Sequence, residues 1–210
     1  MTAQTIDLET WRHREIFNYY SRLEHPFYMV TFSIDVTNLY RYVKKYSISF
    51  YYSMIYAVYQ AINRTEQFRY GIEDDGVVLY DRRIVSFTDL RNGEDQFRII
   101  TMDPEGDMKH FAVRAKEVSE AQDCFINLES ERKDRIFITC IPWVQLTSLA
   151  SEGDLHRDDT VPRVSWGKFL TEPDGHRKLN LTLEVNHRFI DGYHIGEFHT
   201  ELESLIASLY

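Results

Sequence analysis

Apolar and polar positions alternate in distinct registers along this chain, and the registers predict its elements. Thr10 is placed to cap a helix that opens at Trp11 and runs to about Leu23, ahead of the breaker Pro26. In YMVTFSI, residues 28–34, Tyr28, Val30, Phe32 and Ile34 share one face, the period of a strand. Asp35 then caps a second helix on which Leu39, Tyr42, Val43 and Tyr46 follow the spacing of one buried stripe. FYYSMIYAVYQAINR, 50–64, is a third helix, apolar on most sides and so largely buried. From residue 68 the period changes to two: FRYGI and VVLYD flank Asp75-Gly76, and IVSFTDL and FRIITM flank Asn92-Gly93, which predicts two hairpins. A polar-faced helix over about 107–122 carries Met108, Phe111, Ala115 and Val118. RIFITCI, 135–141, is a strand that leads into PWVQLTSL, and VSWGKFL and LNLTLEVNH are joined by the turn Pro173-Asp174-Gly175. A final helix from about 192 buries Ile195, Phe198, Leu202, Leu205, Ile206 and Leu209. Helices and hairpins mix without a regular strand-helix-strand period, which predicts an α+β two-layer sandwich with a large mixed β-sheet.

Composition narrows the function classes. With 210 residues and 43% hydrophobic content, the chain can bury a core of its own, and residues 1–210 are expected to form a single domain. A net charge of −9 argues against a nucleic-acid or anionic-membrane surface, either of which needs a clustered basic face, but it allows a local basic spot for a small anionic cofactor. Neither a charged leader nor a run of about 18 apolar residues is present, so a soluble, cytoplasmic protein is expected. Cys124 and Cys140 lie in apolar-patterned segments without metal-type spacing and are expected to be buried free thiols. Fourteen tyrosines and thirteen phenylalanines supply core, and some of them can line a pocket for a flat or apolar ligand.

One stretch carries chemistry. On residues 179–187 the apolar face holds Leu179, Leu181, Leu183 and Val185, and the strand period places His187 at the end of that row, with Glu184 and Asn186 on the other face. A histidine so placed is partly desolvated, which favours the neutral imidazole that a general base requires. Asp191 is a natural N-cap for the last helix. Pattern alone favours the plainer reading, a histidine closing a sheet edge beside an ordinary cap. A metal site built on His187, His194 and His199 is disfavoured, because His194 and His199 sit five apart and no HExxH pattern exists; no metal is expected.

His187-Arg188-Phe189-Ile190-Asp191-Gly192-Tyr193-His194 resembles the H-x-x-x-D-G-[FY]-H signature of the chloramphenicol acetyltransferase family. TWRHREIFNYY, SFYYSMIYAVYQAIN, FRYGIEDDGVVLYD, SFTDL, PWVQLTSL and VSWGKF match it in order over nearly the whole chain, with PWV-x-x-x-S the most specific companion. The resemblance implies a chloramphenicol-acetyltransferase-like fold and direct transfer of acetyl from acetyl-CoA, as co-substrate, to an alcohol. It implies His187 as general base, Ser148 as the donor to the oxyanion, and Asp191 as an aspartate that organises the site through a salt bridge. Ser165 matches a threonine that fixes an active-site water. Lys168 and Phe169 match positions near the CoA nucleotide, and Tyr19, Tyr20, Tyr28 and Phe97 match the aromatic acceptor pocket. A homotrimer is implied, its sites lying between subunits, with His187 of one subunit across from Tyr20 and Tyr28 of another.

The chain departs from the family pattern at several points. Asn186 stands where a second histidine is usual. His13 takes the place of the arginine that should pair with Asp191, with Arg12 and Arg14 on either side as substitutes. Ser49 replaces a lysine associated with CoA phosphate, which implies either a weaker affinity for CoA or compensation by Lys44 or Lys45. The span from Ser148 to Ser165 is short, and Pro26 and Tyr28 alter the pocket, which leaves the acceptor open. Two other readings stand beside the first. One is a dihydrolipoamide acyltransferase-like thiol acyl transfer, whose signature is similar to His-Arg-x-x-Asp-Gly. The other is a non-catalytic ligand-binding relative.

Overall fold

The computed structural model describes residues 2–74, 76–152 and 156–209. In chain order its elements are β1 (Ala3–Thr5), α1 (Arg14–Tyr20), β2 (Phe27–Asp35), α2 (Thr37–Tyr46), α3 (Phe50–Arg64), β3 (Tyr70–Glu73), β4 (Gly76–Tyr80), β5 (Ile84–Asp89), β6 (Arg98–Met102), α4 (Met108–Ala121), β7 (Arg135–Ile141), β8 (Arg163–Gly167), β9 (Leu170–Thr171), β10 (Arg177–Asn186) and α5 (Gly192–Ala207). The main sheet has the order β2-β10-β8-β7-β5-β6, with β9 paired to β10 outside that path, and a smaller sheet runs β1-β4-β3. It is mixed: β7 pairs parallel with both β5 and β8, and its other ladders are antiparallel. The α+β sandwich expected from the pattern is the one formed.

The period-two rows decide which face meets the helices. Leu179, Leu181, Leu183 and Val185 of β10 are 0–1% exposed, and they join Ile55, Val58 and Ile62 of α3 and Phe198, Leu202 and Ile206 of α5 in one core. Cross-strand partners Tyr28, Val30, Phe32 and Ile34 of β2 extend the same row. The opposite face of the sheet is polar yet partly buried. Thr182 lies opposite both Thr31 and Ser165, and Ser165 lies opposite Thr139. Hydroxyls of Thr31 and Thr182 are 2.8 Å apart, as are those of Thr88 and Thr139, so a row of hydroxyl side chains crosses β2, β10, β8, β7 and β5.

Several local expectations are corrected. Thr10 does not cap α1, because its hydroxyl is taken by Asp7 at 3.1 Å and α1 begins at Arg14 behind His13. Asp35 stands one residue outside the cap position, held by Val36, although its carboxylate still accepts the Thr37 N–H at 2.8 Å. The Asp75-Gly76 turn falls partly outside the described residues, while the β3–β4 hairpin it joins is present. Cys124 is exposed rather than buried, because the chain after α4 runs along the open edge of β6, tied by Ile99 N–H to the Phe125 carbonyl at 2.8 Å. Cys140 is half-buried, and burial pushes its thiol up to about 12. Among the described residues no helix is long and apolar enough to cross a membrane.

The PWV segment is pressed against the end of β8. Lys168 N–H donates to the Val144 carbonyl at 2.7 Å and the Asn180 amide donates to the Leu146 carbonyl at 2.9 Å. A methyl group on Gly167 would collide with the Val144 carbonyl oxygen and come within 2.8 Å of Leu146. Gly167→Ala is therefore expected to displace the segment and to cost about 1–3 kcal/mol by overpacking, measured by urea denaturation against wild type.

Candidate active site

His187 follows the last residue of β10 and opens the turn that leads to α5. Its N–H donates to the Pro26 carbonyl at 2.7 Å, which continues the β2–β10 ladder one rung past the strand. The ring is clamped by two aromatics: Tyr20 stacks at 4.1 Å with an interplanar angle of 22°, and Tyr28 lies at 4.3 Å. His187 Nδ1 is 3.1 Å from the Ile190 carbonyl oxygen. A carbonyl only accepts, so Nδ1 carries the hydrogen and Nε2 presents a lone pair. That tautomer can take a proton from a hydroxyl placed at Nε2.

An aromatic cluster holds this turn against α1. Phe189 is buried among Trp11 at 6.1 Å, Phe17 at 5.4 Å and Tyr70 at 6.0 Å. Phe17 belongs to α1, so docking it on Phe189 brings Tyr20, the last residue of that helix, over His187. Tyr19 meets Tyr20 edge-on at 5.1 Å and is exposed. Tyr28 is set by register: it pairs with Val185, two residues before His187. Its hydroxyl is shielded from water without a hydrogen-bond partner among the described residues. Burial, followed by the nearby Asp191 carboxylate, pushes it up to about 12, so it remains a neutral donor. Tyr20 and Tyr28 thus belong to the same chain as the His187 they touch, which corrects the expectation that they face it from a neighbouring subunit.

Behind His187 the two flanking residues reach in the other direction. The Asn186 amide nitrogen donates to the carbonyls of Arg157 at 2.9 Å and Asp159 at 3.0 Å, and its oxygen accepts from Arg188 N–H at 3.1 Å and Nε at 3.2 Å. This uses two donors and one acceptor oxygen from the same side, which a neutral imidazole cannot supply. Arg188, 2% exposed, also donates to Asp158 at 2.8 Å and to the Arg157 carbonyl, with its guanidinium over Phe17 and Phe189. Desolvation lowers the Arg188 pKa, but Asp158 opposes the shift and the guanidinium stays charged. Asp159 is itself paired with Arg163 at 2.5 Å. The segment 157–159 is therefore fastened to the histidine turn from both sides.

The aspartate brace differs from expectation. Asp191 caps α5, accepting from Tyr193 N–H at 2.9 Å and His194 N–H at 3.3 Å, and His194 Nδ1 accepts from the Asp191 N–H at 3.1 Å. Among the described residues it forms no ion pair with an arginine: Arg14 is drawn to Glu9 at 2.8 Å, and His13 meets His194 at 5.7 Å. Burial lowers the His194 pKa, which keeps that ring neutral and suited to the capping role. Asp191 is held by the cap of its own helix, while Arg188 serves residues 157 and 158 on the other side of the turn.

Other sequence-derived residues lie apart. Ser148 is exposed and sits in the stretch that runs beside the polar face of β10, tied at Leu146 to Asn180 and at Ser151 N–H to Glu184 at 3.2 Å. That places Ser148 abreast of Thr182, five residues and on the order of 16 Å of strand from His187 of the same chain. Ser165, 3% exposed, lies opposite Thr182 in the hydroxyl row. Phe97 packs on Phe125 at 5.4 Å beside β6, the edge of the sheet opposite β2. Lys168 is exposed, and Phe169 packs on Tyr40 at 5.6 Å and Phe50 at 5.4 Å. A cation beside a half-buried ring is a surface that fits a nucleotide. Sequence reasoning missed the Asn186–Arg188 clamp. Its local signal is a charged residue set directly before the apolar pair Phe189-Ile190.

Comparison with known proteins bears on the fold and the family. A solved chloramphenicol acetyltransferase matches the fold with a TM-score of 0.87 at 23% identity, covering 98% of this chain and 100% of its own. The cubic core of the pyruvate dehydrogenase multienzyme complex matches at 0.69 and 17% identity, over 98% of this chain and 93% of that one. The chloramphenicol acetyltransferase family model spans residues 1–203, and a chloramphenicol acetyltransferase of Clostridium perfringens is 29% identical over 214 residues, 99% of this chain and 100% of the relative. The chain belongs to the chloramphenicol acetyltransferase family, and with it to the acetyl-CoA-dependent acyltransferases.

Arg188→Met keeps the bulk of the side chain but takes the guanidinium from Asp158, and leaves the Arg157 carbonyl and the Asn186 oxygen with one donor each, the Asn186 amide and the residue 188 N–H. It is expected to cost about 2–4 kcal/mol of unfolding free energy, and equilibrium denaturation checks it.

Proposed function

We propose that the protein transfers the acetyl group of acetyl-CoA to a hydroxyl of chloramphenicol or a related small alcohol, in one direct step with both substrates bound. The observation that carries this reading is the His187 Nδ1 contact with the Ile190 carbonyl, which leaves Nε2 as the acceptor in a ring held between Tyr20 and Tyr28. The full-length match to chloramphenicol acetyltransferases supports the substrates. In this reading acetyl-CoA supplies the activated acyl group. His187 Nε2 takes the hydroxyl proton as that oxygen attacks the thioester carbonyl, and returns it to the departing thiolate. Ser148 donates to the carbonyl oxygen as its negative charge grows. Tyr19, Tyr20 and Tyr28 form one aromatic wall for the acceptor and Phe97 another, Ser165 fixes a water, and Asp191 acts as a brace through the capping box. Lys168 and Phe169 hold the nucleotide end of CoA. No acyl-enzyme is required, because the gain comes from proximity and orientation.

The same reading makes the protein a homotrimer of single-domain chains with its sites between copies. Support comes from the long in-chain separation of Ser148 from His187 and from the position of Phe97 on the opposite edge of the sheet. A base and an oxyanion donor must lie within hydrogen-bond reach of one substrate, so they meet when His187 of one copy faces Ser148 of another.

Thiol release in the presence of acetyl-CoA and chloramphenicol is expected to fall about 10²- to 10⁴-fold in His187→Ala. Equal rates in the two proteins defeat the assignment, and transfer to dihydrolipoamide but to no alcohol moves the acceptor to a thiol. Co-expressing His187→Ala with Ser148→Ala separates the interface reading from an in-chain site. Random mixed trimers restore one intact site in about four, so about a quarter of wild-type activity is expected where each variant alone is inactive, and no recovery indicates that both residues serve from one chain.

A further inference from the structure

Arg177, the first residue of β10, holds its guanidinium 3.7 Å over the ring of Tyr40 and 6.0 Å from that of Phe169. The two rings meet edge-on at 5.6 Å, and Phe169 also touches Phe50, the residue that follows Ser49. Lys44, one turn beyond Tyr40 on α2, places its ammonium 5.5 Å from the same ring. Lys168 adjoins Phe169 and is exposed. In a chain of net charge −9, two cations converge on the Tyr40 ring, and a third, Lys168, is the sequence neighbour of Phe169.

Among the described residues neither Arg177 nor Lys44 forms an ion pair, and the guanidinium has a single long hydrogen bond, from Nη1 to the Gly175 carbonyl at 3.4 Å. Arg177 Nε is shielded from water without a hydrogen-bond partner among the described residues. The backbone beneath is fixed: Arg177 N–H donates to the Thr37 hydroxyl at 2.8 Å, which ties β10 to the start of α2. A half-buried, stacked and unneutralised guanidinium is an anion seat waiting for its ligand, since such groups are ordinarily paired.

Ser49, by contrast, offers nothing to an anion. Its side chain accepts the Tyr52 N–H as the N-cap of α3. Lys45 is turned toward Tyr46, at 5.4 Å from that ring. The cations that reach this side of α3 are instead Arg177 of β10, linked to Phe50 through Phe169, and Lys44 rather than Lys45 of α2.

The seat also lies at the right end of the molecule. Lys168, which precedes Phe169, bonds through its N–H to the Val144 carbonyl, and from there the chain runs past Leu146 at Asn180 to Ser148 and on to Ser151 at Glu184. A long molecule with phosphates at one end and a thioester at the other can lie along this stretch, with its anionic end at Arg177 and its reactive end at Ser148.

We propose that Arg177, with Lys44 beside it, binds a phosphate group of CoA, while Tyr40 and Phe169 form the aromatic wall for the nucleotide. This rests on the acetyl-CoA reading above. The test is calorimetric titration of the intact protein with CoA at several salt concentrations, for wild type, Arg177→Ala and Arg177→Lys, with thermal melting as a check on folding. Arg177→Ala is expected to bind CoA about 10- to 100-fold more weakly, with a shallower dependence of affinity on salt and an unchanged melting point. Arg177→Lys keeps the charge but loses the stacked fork, so it is expected to retain the salt dependence and recover part of the affinity. An unchanged affinity in Arg177→Ala, or a loss with the wild-type salt dependence intact, overturns the phosphate seat and leaves the transferase reading standing. A wild-type protein that binds no CoA overturns both.

Discussion

The hydrogen bond from His187 N–H to the Pro26 carbonyl is the last rung of a ladder that governs everything around the site. Nine residues of β2 and β10 are paired in strict register, from Asp35 opposite Lys178 to Phe27 opposite Asn186. Because side chains alternate with a period of two, a slip of one residue sends the whole apolar row to the polar face and the polar row into the core. The buried leucines of β10 make that slip prohibitively costly. Register therefore puts Tyr28 beside His187, turns Asn186 the other way onto residues 157–159, and starts α5 at the distance that lets Ile190 offer its carbonyl to the imidazole. Pro26, which has no N–H to donate, ends the pairing at the point where the histidine turn begins.

Two layers of organisation meet in this turn. Toward the helices, Phe189 anchors it among Trp11, Phe17 and Tyr70, and that same cluster delivers Tyr20. Away from the helices, Asn186 and Arg188 tie it to a loop. His187 sits between two residues that are both saturated with hydrogen bonds, so its backbone has little freedom and the direction of its ring follows from its neighbours. Geometry of this kind is what a proton transfer within one bound complex demands.

Much of this was legible in the sequence where a single element decides the outcome. Helix 50–64 and the strand over 28–34 follow from periodicity, and the end of the apolar row at His187 follows from counting by two. What failed was decided by partners distant in sequence. Thr10 has the chemistry of a cap, but Asp7 captures its hydroxyl. Asp191 has the chemistry of a salt-bridge partner, but Glu9 holds Arg14 and the aspartate turns to its own helix. Cys124 sits in an apolar pattern that serves the edge of β6 rather than the core. Asn186 and Arg188 look unremarkable as single letters, since their value lies in carbonyls some thirty positions away.

The clamps at the two ends of the span from 152 to 156 bear on how the protein can change over generations. Val144, Leu146 and Ser151 are pinned at Gly167, Asn180 and Glu184, and Arg157, Asp158 and Asp159 are pinned at Asn186 and Arg188. Between these anchors the chain can lengthen or shorten without moving either one, and doubling a loop costs only about 0.6 kcal/mol of closure entropy. Insertions and deletions are thus cheap here and expensive almost everywhere else nearby. If the span walls the acceptor, as the proposed transferase reading has it, descent from a common ancestor can remodel that wall while the histidine turn is inherited intact, and lineages diverge in what they modify before they diverge in how.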